Sequence, residues 1–393
     1  MHNSINIPYA RQDINQHDVD AVTEVLYSDF LTQGPVVPAF EAAVTSYSGG
    51  LYAVAVNSAT SALHIACLAL GVGKGDIVWT TPITFVATAN CALYCGATID
   101  FVDIDPQTYN LSVECLASKL EAAEKEGNLP KVVIPVHLCG QPCDMITIHS
   151  LSLRYGFKII EDASHAIGGK YQDEPIGKGR YSSITVFSFH PVKIITTGEG
   201  GMAVTNDADL ARRMRLLRSH GITSDPNYME ERSPTEIWNY QQISLGFNYR
   251  MTDIAAALGL SQMRRLDEFI KRRRALANRY DQQLLNTIYQ TPWQHPDSYS
   301  AYHLYVLRLN INGTSQRNLY QNLHSAGIIV NLHYIPIHTQ PYYAKLGFNA
   351  EDFPASLDYF RKSLSIPMFS QLSDADQERV IAVLRQLQLV EAR

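Results

Sequence analysis

Between about residues 50 and 205, short runs of Val, Ile, Phe and Ala alternate with stretches whose apolar residues recur every three or four positions. The runs predict strands at 51–56, 77–80, 98–102, 131–135, 157–161, 183–189 and 201–205. The periodic stretches predict helices at 59–70, 85–95, 113–125 and 145–155. Strands apolar on both faces and separated by helices belong in a mostly parallel sheet covered on both sides. A long charged amphipathic pattern, rich in Arg and Leu, follows over 251–280 and would serve as the hinge into a second unit. Beyond it, a strand pattern at 303–310 and helices near 315–326 and 373–389 describe a smaller α+β domain. The polar, Pro-containing stretch 224–235 reads as an exposed loop. The division expected is a large domain over 1–262, whose first segment packs on the small one, and a small domain over 263–393.

Composition narrows this without changing it. A chain of 393 residues with 46% hydrophobic and 18% charged residues is long enough for two packed domains. The net charge of -6 argues against nucleic acid or an anionic membrane as the main partner, since both reward a basic surface. A phosphorylated ligand remains open, because it needs only a few local donors. Six cysteines sit mostly in apolar runs and form no C-x-x-C pair, so zinc is not expected; buried free thiols in a reducing compartment are. Met1-His2-Asn3-Ser4 begins no charged-then-apolar leader, and no run reaches membrane-spanning length, which points to the cytoplasm.

Three segments carry candidate chemistry, each at the end of a predicted strand, where open α/β sheets collect their ligands. Asn57-Ser58-Ala59-Thr60-Ser61 opens a helix with small hydroxyl residues, which suits phosphate; an ordinary helix cap would read the same way. Asp162 leaves an apolar strand, as a solvated strand end would, or as a carboxylate that keeps a pyridinium nitrogen protonated. His165 follows three residues later, where it could serve the same ring or fill a structural place. Lys193 lies between Val192 and Ile194-Ile195, ahead of Gly198-Glu199-Gly200-Gly201. Desolvation there would make it a competent amine nucleophile, whereas a strand-edge lysine would snorkel to water. Taken together, cup, aspartate and lysine meet the three demands of pyridoxal 5'-phosphate: anchor the phosphate, protonate the ring and hold the aldehyde.

These segments resemble the DegT/DnrJ/EryC1/StrS family of sugar aminotransferases over nearly the whole chain. The matching stretches are Leu31-Thr32-Gln33-Gly34, Asn57 to Leu63, Thr81 to Thr88, Asp162-Ala163-Ser164-His165-Ala166, Phe189 to Lys193 with Thr197 to Gly201, and Gly246 to Met251. The resemblance implies the aspartate aminotransferase-like architecture of fold type I, with pyridoxal phosphate as cofactor. It further implies that Lys193 holds the cofactor as a Schiff base and later moves a proton between substrate and cofactor. Asp162 would bind the ring nitrogen, Phe85 would stack on the ring, and His165 would stand near its oxygen. Thr60, Ser61 and Ser188 would hold the phosphate. Asn248 would reach the phosphate of a neighbouring subunit, which implies a homodimer with shared sites. From the sequence alone, Phe85 reads as ordinary core.

Within the family, the likeness is greatest to the branch that aminates UDP-4-keto-6-deoxy-N-acetyl-β-L-altrosamine at C4 in pseudaminic acid biosynthesis. Asn331 to His338, Gln340 to Tyr343 and Ala89 to Gly96 carry it. L-glutamate would be the amino donor in a ping-pong cycle, with Arg250 a candidate for its carboxylate and Thr32, His333 and Tyr334 candidates for the sugar. A sister aminotransferase for another keto-sugar stays open, as does a cofactor-binding regulator, although no DNA-binding extension is visible. Lysine rather than histidine at 193 counts against a sugar 3-dehydratase. Cysteines confined to apolar runs count against a cysteine desulfurase.

Overall fold

A computed structural model describes residues 6–231, 239–309 and 316–391. Part of the loop expected over 224–235 therefore lies outside the described residues. The centre is a seven-stranded sheet of β1 (Tyr52–Val56), β2 (Ile77–Thr80), β3 (Thr98–Phe101), β4 (Val132–Ile134), β5 (Lys158–Asp162), β6 (Ile184–Ser188) and β7 (Gly201–Thr205). Their order in space is β1-β7-β6-β5-β4-β2-β3. Pairs among β2 to β6 are parallel, and β7 runs antiparallel to both β1 and β6. Successive side chains on a strand face opposite ways, so Ile159 and Val133 enter one apolar layer while Ile160, Val132 and Ile134 enter the other. Helices cover both faces, as the continuous apolar runs require.

The first fifty residues, which carry no predicted element, form α1 (Gln16–Leu26) and α2 (Val36–Ser48). Their starts are set by side chains. Asn15 and Asp18 form a reciprocal cap on α1. Asp253 accepts from the amides of Gly34, Val36 and Val37 at the head of α2. Helices α3 (Ala59–Ala69), α4 (Ala87–Tyr94), α5 (Val113–Glu126), α6 (Met145–Tyr155) and α7 (Ala208–Arg218) complete the layers.

The amphipathic pattern of 251–280 resolves into two helices, α8 (Asp253–Met263) and α9 (Leu266–Gln283). The break falls where Arg265 turns its guanidinium to Asp13 and Asp18 on the N-terminal segment. Along α9, Leu266, Phe269 and Ile270 join the core of the large sheet, while Leu276, Ala277 and Tyr280 join a second core. That second core lies beside a three-stranded antiparallel sheet of Tyr289–Gln290, Tyr305–Leu309 and Ser363–Ile366, with α10 (Gln316–Ser325) and the helix Asp374–Glu391 packed near it. Ile7 is buried in the same core and bridges to Ile328.

The cysteines depart from expectation. Cys67, Cys91 and Cys143 are buried, but Cys95 and Cys139 are half-buried and Cys115 is exposed on α5. An apolar run on a helix still has an outer face, which is where Cys115 falls. Among the described residues, no helix is long and apolar enough to cross a membrane.

Candidate active site

The carboxyl ends of β5 and β6, the start of α3 and the segment 331–334 enclose a cavity of about 810 Å³. It brings together Phe85, Thr60, Ser61, Asp162, His165, Ser188, Lys193, His333 and Tyr334, all of them expected from the sequence. Thr32, Asn248 and Arg250 stand outside the cavity of their own chain. Thr32 pairs with Thr252, Asn248 with Ser219 and Arg250 with Val56, each through main-chain bridges, and Asn248 is exposed.

The phosphate cup follows from local structure. Ser58 ends β1's connection in extended backbone and caps α3, its hydroxyl accepting the amide of Ser61. Ala59 and Thr60 lead the helix, where amides have no intrahelical acceptor and the helix dipole favours an anion. Ser61 donates its hydroxyl to Asn57. Ser188 ends β6 beside the same cavity. β7 approaches α3 closely because residue 201 is glycine: a Cβ there would stand 2.5 Å from the amide nitrogen of Ala59.

Asp162 is 4% exposed at the end of β5. Its Oδ1 accepts from the amide and the hydroxyl of Ser164, at 3.1 and 2.5 Å. Its Oδ2 accepts from Thr88 at 2.7 Å, and Thr88 is in turn 2.8 Å from Thr84. All these partners are neutral, and Oδ2 keeps a lone pair for one further donor. Lys193 sits in the turn after β6, which Gly198 closes with φ +80°. Burial pushes its amine down to about 8, against the pull of Asp162 and Cys139.

Phe85 is 57% exposed, although large apolar side chains are usually buried. The sequence reading as ordinary core is thus corrected: the ring forms cavity wall, 6.3 Å from that of Tyr334. His165 accepts the amide of Cys139 at Nδ1, 3.3 Å away, and its Nε2 is 3.1 Å from the Tyr334 hydroxyl. Burial first, then Lys193 and His333, hold His165 well below the usual histidine range. His333 is pushed down to about 3 by burial and by Lys193, and its Nδ1 is 2.8 Å from the Ser365 hydroxyl. Burial keeps the Tyr334 hydroxyl protonated far above neutrality.

Sequence reasoning missed Thr88 and Ser164 as the residues that orient Asp162, together with Tyr9 on the wall; Asn57 and Asn331, which open two of the segments singled out in the sequence, also line it. Two signals were available. Thr84 and Thr88 are four residues apart across the start of a predicted helix, and a serine two residues past an aspartate is a turn former. Tyr9 is distant in sequence and carries no such signal.

Pyridoxal phosphate fits these donors. There is an anion cup at one end, a carboxylate with room at Oδ2, a flat exposed ring and an amine low enough to lose its proton. The sequence model of the DegT/DnrJ/EryC1/StrS aminotransferase family matches residues 12–385. The spore coat polysaccharide biosynthesis protein SpsC of Bacillus subtilis is 39% identical over 388 residues, 97% of each chain. The UDP-4-amino-4,6-dideoxy-N-acetyl-beta-L-altrosamine transaminase of Campylobacter jejuni is 37% identical over 376 residues, 95% of each chain. Among solved structures, PseC of Helicobacter pylori, described as an aminotransferase involved in the biosynthesis of pseudoaminic acid, aligns with a TM-score of 0.89 at 29% identity. That alignment covers 98% of this chain and 100% of its own.

Proposed function

The chain belongs to the DegT/DnrJ/EryC1/StrS aminotransferase family and is a pyridoxal-phosphate-dependent nucleotide-sugar transaminase, and on that footing we propose its substrates and the work of its residues. It moves the amino group of L-glutamate to C4 of UDP-4-keto-6-deoxy-N-acetyl-β-L-altrosamine, the step associated with pseudaminic acid biosynthesis. The likeness to the Campylobacter jejuni transaminase along 95% of both chains carries the choice of sugar.

Pyridoxal phosphate, when bound, supplies the electron sink that lets a carbon bearing the amine lose a proton. Asp162 binds the ring nitrogen through Oδ2 and, being fixed by Thr88 and Ser164, favours its protonated form. The head of α3 and Ser188 take the phosphate. Phe85 offers the platform for the ring. Lys193 would hold the aldehyde; once released, its amine would move a proton between substrate carbon and cofactor, off the glutamate carbon in the first half-reaction and onto C4 of the sugar in the second. Burial, which lowers the free amine of Lys193 to about 8, favours its acting as a base near neutral pH. His333 and Tyr334, neutral and aromatic, line the wall where a sugar would lie.

We further propose that the protein is a cytoplasmic homodimer, divided into domains at about residue 262. Tyr27, Phe30, Leu31, Tyr240 and Leu245 are all exposed apolar residues near Thr32 and Asn248 in sequence, and a second copy would cover them. Asn248 and Arg250 would then serve the partner's cavity. The identity to SpsC, named for spore coat polysaccharide synthesis, favours a second reading: a different keto-sugar on the same machinery.

Absorbance spectroscopy separates these. Glutamate should bleach the band of the Lys193-linked cofactor, and the 4-keto altrosamine nucleotide should restore it. Restoration only by another keto-sugar overturns the sugar and leaves transamination standing. Turnover by Lys193→Ala at a comparable rate overturns the role of Lys193.

A further inference from the structure

His303 has no part in the scheme above, yet it is 2% exposed and its Nδ1 has no hydrogen-bond partner. Buried ring nitrogens are usually satisfied, so an orphan invites an account. The ring lies 4.4 Å from that of His165, centroid to centroid, tilted by 46°. Its main chain is clamped from behind by Arg273 of α9, itself fully buried. The guanidinium donates to the carbonyl oxygens of Tyr302, His303 and Met368 at 3.2, 3.1 and 3.0 Å. From the other side, Leu304 donates its amide to the carbonyl of Cys139, whose own amide bonds His165. The His303 segment is thus tied to His165 through Cys139 and held from behind by Arg273.

The bonding of His165 decides what that placement does. Nδ1 accepts the Cys139 amide, so a neutral ring carries its proton on Nε2 and donates it to the Tyr334 oxygen. The hydrogen of the Tyr334 hydroxyl is then turned away from His165, and Tyr334 lines the cavity with Lys193. A proton on Nδ1 would oppose the Cys139 amide and place a second charge beside Lys193. The groups facing the two histidines are Lys193, His333, Tyr334, Cys139 and Arg273, with Asp162 across the cavity. Burial first, and then His165, Lys193, Arg273 and His333, hold His303 well below the ordinary histidine range, so the ring behind His165 is also uncharged.

We infer that His303 is a positioning residue for the transamination: it backs His165, excludes water and charge from behind it, and keeps its proton on Nε2, so that Tyr334 presents its hydroxyl hydrogen to a substrate oxygen in the cavity. The inference rests on the reading of this cavity as the transamination site. His303 touches neither cofactor nor sugar. Its shape and neutrality do the positioning, which makes phenylalanine the conservative replacement.

The test uses full-length protein with 15N-labelled histidine, cofactor-free, and the same proteins loaded with cofactor. The His165 signals are assigned by their loss in His165→Gln. In the wild type, His165 should show a protonated Nε2, an acceptor Nδ1 and no titration where ordinary histidines titrate. His303→Ala should let it titrate in that range. The same variant should lower kcat about tenfold, with KM for the nucleotide sugar within about twofold, and move the acid limb of the kcat profile to higher pH. His303→Phe should restore all three. A His303→Ala protein whose His165 stays neutral and whose pH profile is unmoved overturns the inference, even if its Tm falls. So does a His303→Phe protein as impaired as His303→Ala, because the nitrogen would then be in use. Should the wild type fail to turn over the sugar, the substrate reading falls while the NMR comparison still decides the role of His303.

Discussion

At the end of β5, Glu161 is bonded to Ser182, Thr185 and the Nε2 of His137, whereas the next residue, Asp162, lines the cavity and is held by Thr88 and Ser164. The alternation of a strand sends these neighbouring carboxylates to opposite faces. Burial alone would raise the Glu161 carboxyl, but the bond to His137 and those of Ser182 and Thr185 outweigh it and hold it below the ordinary range. Cys143 donates its amide to Nδ1 of His137, so the ring's proton lies on Nε2 and goes to Glu161. The donors on His137, Ser182 and Thr185 all reach Glu161 from inside the fold, away from the cavity. Asp162 is fixed by neutral donors and keeps a lone pair at the wall of the cavity, where the proposed scheme places the ring nitrogen. Burial is equal on the two faces and each carboxylate accepts three hydrogen bonds; the 810 Å³ cavity, which Asp162 lines and Glu161 does not, separates them.

The sharpest way to break this contrast is to remove charge on each face in turn. Asp162→Asn keeps the size and loses the charge that favours a protonated ring nitrogen. We expect the glutamate half-reaction, followed by stopped-flow absorbance, to slow about a thousandfold, ~4 kcal/mol of barrier, with Tm nearly unchanged. A rate within tenfold of wild type would move the ring nitrogen away from Asp162. Glu161→Leu should do the reverse. It leaves the donors on buried His137 and Thr185 and on half-buried Ser182 without their acceptor, so denaturant melts should show a loss of about 3 kcal/mol. Turnover per folded site should stay within about twofold. Equal damage to both quantities would merge the two faces into one network.

Sequence showed one face of this contrast better than the other. The strands from 51 to 205, the helix heads and Lys193, Asp162, Ser188 and Phe85 were legible because each depends on a local pattern or a family motif. The role of Glu161 was not, because His137, Ser182 and Thr185 reach it from other strands and turns, and no spacing encodes that convergence. The N-terminal helices were missed for a related reason: Asp253 supplies the head of α2 from more than two hundred residues away. Phe85 was found through its motif but not through physics, since an exposed phenylalanine in a cavity and a buried one read alike. Thr88 was available from its four-residue spacing to Thr84 across the start of α4. It predicts a smaller effect: Thr88→Val keeps the shape and removes the donor to Oδ2, and the same half-reaction should slow about tenfold. A thousandfold loss would mean that Thr88 also meets the cofactor.

The smallest effect concerns what the functional face costs the fold. Lys193 has its amine lowered from 10.5 to about 8, chiefly by burial. In the unfolded chain the same amine keeps its proton up to the ordinary lysine range. Between about pH 8 and 10.5 the unfolded state therefore binds more protons than the native state, and stability rises with pH across that window. Below pH 8 both states are charged and the burial penalty is paid in full. Lys193→Met keeps the chain length and removes the charge, so the cofactor-free variant should melt above wild type at pH 7, by about 1–2 °C. The gap should close as pH rises through the window, read by calorimetry at several pH values. A gap that is absent at pH 7, or constant with pH, would put the Lys193 amine in water, and the contrast between a satisfied face and a poised one would then rest on Asp162 alone.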